Sequence, residues 1–134
     1  MTKQGKQQSQ PATTQDVDKD RWGTFLAEFT RENRGAHARV AVTGPDVGYQ
    51  LQTDDQPFDG VSADTKDGED AVWITFGSST ENHLTHGVQK VAAIRLRPPV
   101  GQSGAALEVI AQDGTTTLLE LSRPEAYALP TAAS

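Results

Sequence analysis

The chain has 134 residues, enough for one domain with one core, of which 35% are hydrophobic and 6% aromatic. Its net charge of −6 disfavours DNA or RNA as a partner, because nucleic-acid affinity comes largely from Lys and Arg releasing counterions. The absence of cysteine removes disulfides, thiolate zinc sites, iron–sulfur clusters and cysteine nucleophiles, and no apolar run approaches the roughly 20 residues of a membrane span.

Residues 1–17 are rich in Gln, Thr, Ser and Lys, and are expected to form a disordered tail that cannot offset its ordering entropy by burial. Residues 1–20 also lack the apolar segment of a secretory signal, so a soluble, cytoplasmic protein is the expectation. Trp22, Phe25, Leu26 and Phe29 then recur at spacings of three, four and seven, one face of an amphipathic helix. With Asp18 or Asp20 as N-cap and Gly35 as the C-terminal stop, the helix is predicted over residues 19–34.

From Ala36 the period changes to two, with Ala38, Val40 and Val42 alternating with His37, Arg39 and Ala41, before Gly44-Pro45-Asp46 breaks the strand. Tyr49 and Leu51 suggest the returning partner, interrupted at Asp54, Asp55 and Pro57. Phe58 to Val61 reads as a short strand or bend. Residues 71–76 are the most continuous apolar run, a central strand covered on both faces on which Trp73 reads as core. Residues 77–88 are the least regular and unusually polar, a place where function could be localised. Another strand follows over residues 91–96, ended by Pro98-Pro99. Asp113-Gly114 fits a two-residue type I′ turn, predicting a hairpin between residues 106–112 and 115–121. After Pro124 the periodicity is lost, so residues 124–134 read as an extension frayed at its end.

These features resemble a bacterial DUF5335-like family of small proteins. The resemblance rests on Trp22, Phe25, Leu26 and Phe29, Asn33-Arg34-Gly35, Pro57, Gly60-Val61, Gly77, His83-Leu84-Thr85-His86, Asp113-Gly114-Thr115 and Leu118-Leu119. It covers about residues 22–121 and implies a compact β-rich fold with no assigned activity. One departure is the Pro98 to Gly104 connection, uncharged here where such proteins tend to be acidic, which puts a function housed in that loop in doubt.

Among possible chemical sites, His83 and His86 would share one face of a helix and could ligate a metal, with a third ligand from His37, Glu81, Asp64 or the acidic residues between Asp54 and Asp70. In an extended segment they would point to opposite faces, leaving one structural and one exposed histidine. Ser78, Ser79 and Thr80 raise a hydroxyl nucleophile beside these imidazoles, but no Gly-x-Ser-x-Gly elbow accompanies them. Asp54, Asp55, Asp59, Asp64, Asp67, Glu69 and Asp70 could gather a hard cation or form a solvated rim, and their spacing does not match an EF-hand. Phosphate-binding glycine motifs are absent.

The expected fold is α+β or mainly β: an N-terminal amphipathic helix packed on a bent antiparallel meander of about six strands, open or closed as a small barrel, over residues 18–123. The expected function is a non-catalytic binding or accessory module, leaning away from an enzyme. Its alternative is a small metal-dependent or hydrolytic enzyme centred on His83 and His86. The candidate binding or metal residues are Asn82, His83, Thr85 and His86. No cofactor and no resident metal are expected. A protein partner, no nucleic acid, no membrane, and a monomer or small homo-oligomer complete the expectation.

Overall fold

The computed structural model describes residues 14–65, 69–77, 83–99 and 104–122. They form an antiparallel sheet of eight strands around one helix. In chain order these are β1 (Gln15–Val17), α1 (Trp22–Asn33), β2 (His37–Gly44), β3 (Gly48–Asp64), β4 (Ala71–Phe76), β5 (Leu84–Val88), β6 (Val91–Arg97), β7 (Ala106–Ala111) and β8 (Thr116–Ser122). The strand order is β1-β6-β7-β8-β2-β3-β4-β5. The sheet is open, with β1 and β5 as its outer strands, and this corrects the closed barrel and the count of about six strands.

The helix is not the first element. A strand precedes it, because Gln15, Asp16 and Val17 pair with Leu96, Arg95 and Ile94 of β6. Gln15–Val17, which fall within the stretch expected to be a disordered tail, are therefore part of the sheet. Lys19–Arg21 form a 3-10 turn, so α1 starts at Trp22 rather than at residue 19. Neither Asp18 nor Arg21 caps it through a side chain.

Trp22, Leu26 and Phe29 are the buried face of α1. They join Phe58 and Val61 of β3, Ile74 of β4, Ile94 of β6, Leu107 of β7 and Leu119 of β8 in one apolar cluster, so the sheet curls around the helix. Phe29 meets Phe58 edge-on at 5.9 Å, and Phe25 stacks on Phe29 at 6.1 Å. Burying each such side chain contributes roughly 1.5–3 kcal/mol.

Seventeen residues of β3 make one bent strand where interruption was predicted. Its first part pairs with β2 up to Pro57, and its second part, from Phe58, pairs with β4. Register shifts near Val40 and between Phe58 and Gly60 provide the bend, with Asp55 at a positive φ of 57°.

Beyond Pro57 the β2 side of β3 pairs with no strand among the described residues, and α1 takes that place. The Thr30 hydroxyl donates to the Val61 carbonyl at 3.1 Å and accepts from the Val61 N–H at 3.0 Å. Gly35 N–H donates to the Phe58 carbonyl, Phe58 N–H donates to Ala36, and Arg34 Nε donates to the Asp59 carbonyl. Gly60 permits this approach, since a Cβ there would stand 3.3 Å from Thr30. Polar backbone that would be costly to bury unpaired is thus satisfied by the helix and its exit.

The hairpin between β7 and β8 has a three-residue loop rather than the two-residue turn expected. Gly114 N–H donates to the Ala111 carbonyl and Ala111 N–H to Thr115, while Gly114 alone of the loop takes positive φ. That is a type I turn followed by a bulge. Asp113 accepts from the Thr115 N–H at 2.9 Å, which lowers its carboxyl pKa.

Candidate functional site

Among the described strands, β4 and β5 are the two that contain no charged residue, and they lie side by side at one end of the sheet. Every other described strand carries at least one Asp, Glu, Lys or Arg. In β4, Val72, Ile74 and Phe76 are buried on the helix side. Directly opposite residues share a face, so Val88, His86 and Leu84 of β5 continue these three positions outward. Exposure grows along that row: Val88 is buried, His86 is half-buried and Leu84 is 53% exposed.

The opposite face of this edge is built by Trp73. Trp73 pairs with Gly87, and a Cβ on Gly87 would come within 2.3 Å of the indole ring. The missing side chain lets the ring lie across the outer strand, the way an aromatic covers an edge glycine. Trp73 was expected in the core because β4 read as covered on both faces. One face is instead open, and Trp73 is 38% exposed on it.

The free side of β5 pairs with no strand among the described residues. Natural edges are usually blunted by charge, proline or a bulge. None of these occurs in Leu84-Thr85-His86-Gly87-Val88. Apolar side chains flank the edge on both faces, Leu84 on one and Trp73 on the other. This is the geometry that accepts an added strand through main-chain hydrogen bonds.

The two histidines sit in different surroundings. His83, just before β5, reaches Asp59 through Nε2 at 3.2 Å, and Arg34 Nε lies 3.9 Å from the other Asp59 oxygen. These groups are exposed. His86 stands opposite Ile74, where burial disfavours its charged form and lowers its pKa. The segment is a strand from Leu84, not a helix, so the shared helical face required for a His-x-x-His pair does not form. Thr85 pairs with Thr75 on the face that carries Trp73. Asn82, Glu81, Ser78, Ser79 and Thr80 lie outside the described residues, as does Asp67.

The acidic residues are dispersed rather than gathered. Asp54 pairs with Arg39 at 3.2 Å, Asp55 with His37, and Asp70 with Lys19 at 2.7 Å. His37 is therefore engaged on the β2–β3 side, beside a shallow depression of about 420 Å³ that Arg39, Glu120 and Ser122 also line. Asp54 raises the Arg39 pKa by hydrogen bond and charge. Among the described residues no group of three or more His, Cys, Asp or Glu could hold a metal ion. No helix among them is long and apolar enough to cross a membrane.

A second set of exposed apolar residues, Tyr49 and Leu51, lies on the first part of β3. Leu51 continues through Ala41 and Leu118 into Glu108, Arg95 and Asp16 on successive strands. That row ends in charge, and the free side of β3 there ends at the bulge with Asp54 and Asp55. It lacks the uncharged character of the β4–β5 end.

What the sequence did not reveal was that residues 84–88 form an outer strand and that Leu84 and Gly87 matter for it. The signal available was Gly87 within a segment free of charge and proline. Residues 13–130 match a family model described as Family of unknown function (DUF5335). No curated protein and no solved structure matches the chain.

Proposed function

The chain belongs to the family of unknown function DUF5335, and from that premise we propose that it is a non-catalytic binding or accessory module whose docking element is the β4–β5 edge. The observation that carries this is the uncharged outer strand β5, unpaired on its free side among the described residues and flanked by exposed Leu84 and Trp73. An extended segment laid against it would gain main-chain hydrogen bonds along its length, with alternate side chains meeting Leu84 on one face and the indole on the other. With a net charge of −6, the partner is a protein rather than a nucleic acid. We propose a bacterial source, in line with the sequence resemblance, and a cytoplasmic location.

Affinity capture tests this, using tagged chain in a host that also expresses the untagged chain. Wild type should retain a specific protein that a Leu84→Asp variant loses. Retention of nothing, or of a set unchanged by the substitution, would refute the reading.

A further inference from the structure

We propose that the segment which docks on β5 is β5 of a second copy of this chain, paired antiparallel about a two-fold axis at His86. This rests on the docking reading above and names its partner. Antiparallel pairing of a strand with itself is closed by a two-fold axis, which makes the interface self-complementary by construction. The question is whether the side chains agree.

Centred on His86, the pairing sets Leu84 opposite Val88 of the second copy and Thr85 opposite its Gly87. On the helix face, Phe76 already stands beside Leu84, and Val72 beside Val88. The joined row therefore runs Phe76, Leu84, then Val88 and Val72 of the second copy, and symmetry gives the same row twice. Leu84, 53% exposed in the single chain, becomes an interior member of an apolar row. On the other face, the Trp73 ring overlying Gly87 meets Thr85 of the second copy, filling the space the glycine leaves.

Charge points the same way. Two copies each carrying −6 repel. Neither β4 nor β5 carries Asp, Glu, Lys or Arg, and the two His86 imidazoles that meet at the axis are half-buried and disfavoured in their charged form, so contact here sets no fixed like charges face to face. An edge that met a charged peptide would gain from complementary charge on its own strands, and these strands have none. The opposite sheet edge, β1, carries Asp16, which a two-fold pairing would set beside its own copy.

Sedimentation equilibrium of the full chain tests the proposal. The wild-type mass should rise with concentration from 14.4 kDa towards twice that value. Leu84→Asp, at a site already exposed, should leave the circular dichroism spectrum unchanged and weaken association by at least about tenfold. The chain has no cysteine, so a single His86→Cys thiol reports geometry directly. Opposed residues about the axis bring their Cβ atoms close enough for a disulfide. Under mild oxidation His86→Cys should form a covalent dimer, while Asp16→Cys on the other edge should not. A 14.4 kDa species up to about 1 mM would overturn the dimer, and partner capture would still decide the docking reading separately. A dimer that ignores Leu84→Asp, or that cross-links equally through Asp16→Cys, would overturn the β5 interface.

Discussion

Strands β1 and β5 both run along an edge of the same sheet, yet they are finished in opposite ways. β1 has three residues, its Asp16 bonds Arg95 at 2.8 Å, and the Trp22 indole N–H donates to the Val17 carbonyl at 3.0 Å. Lys19, just beyond it, is held by Asp70. Shortness, charge and a covering side chain are the devices that keep an edge from recruiting another strand. β5 has five residues and no charge, with Leu84 on one face and the Trp73 ring of β4 lying over Gly87 on the other. The same acidic chain thus protects one edge and leaves the other uncharged and, among the described residues, unpaired. The helix supplies a third solution, covering the part of β3 that β2 leaves open through Thr30, Arg34, Gly35 and Ala36.

The contrast can be broken at its protected end first. Trp22→Ala removes a fully buried ring and the bond to β1 together, and should cost about 3–5 kcal/mol in urea unfolding. A loss below about 1 kcal/mol would show that the helix does not anchor the core. Thr30→Val keeps the shape but strips both hydrogen bonds from Val61, and should cost about 1–3 kcal/mol. A neutral result would mean that water serves this part of β3 as well as the helix does.

Acid sharpens the comparison at β5. Burial lowers the His86 pKa, so below about 6.5 the unfolded imidazole takes up a proton before the folded one. Stability from this group is therefore complete above that pH and is lost as pH falls towards the lower folded pKa. Melting curves between pH 7.5 and 5.5 should show a larger drop for wild type than for His86→Gln. Equal drops would place the imidazole in full solvent. The smallest expected effect is that of Leu84→Asp at high dilution, within about 0.5 kcal/mol, because the side chain it replaces is already exposed. A larger loss would mean that Leu84 belongs to the core rather than to a docking edge.

Much of the sheet was legible because its strands alternate. Val40, Val72, Ile94, Val109 and Leu119 fall on period-two positions that the structure buries. The helix face of Trp22, Leu26 and Phe29 was legible by its spacing, but its start was not. The 3-10 turn at Lys19–Arg21 lies directly between α1 and β1, whose pairing with β6 joins residues 79 apart along the chain. Long-range pairing also hid the candidate site. Gly87 in a segment free of charge and proline was the one local hint in Leu84-Thr85-His86-Gly87-Val88, and it does not by itself say that the strand stands outermost in the sheet. The exposure of Trp73 depends on that position and on Gly87 across the ladder. Asp54, Asp55 and Pro57 read as a break because such residues usually end strands, whereas here a bulge carries the strand through them.

Amide hydrogen exchange, measured at low and high protein concentration, reports on both edges in one experiment. Slower exchange across Leu84–Val88 at high concentration, with Gln15–Val17 unchanged, is the expected result. Concentration-independent exchange in β5, or equal slowing in β1, would contradict the assignment of β5 as the docking edge.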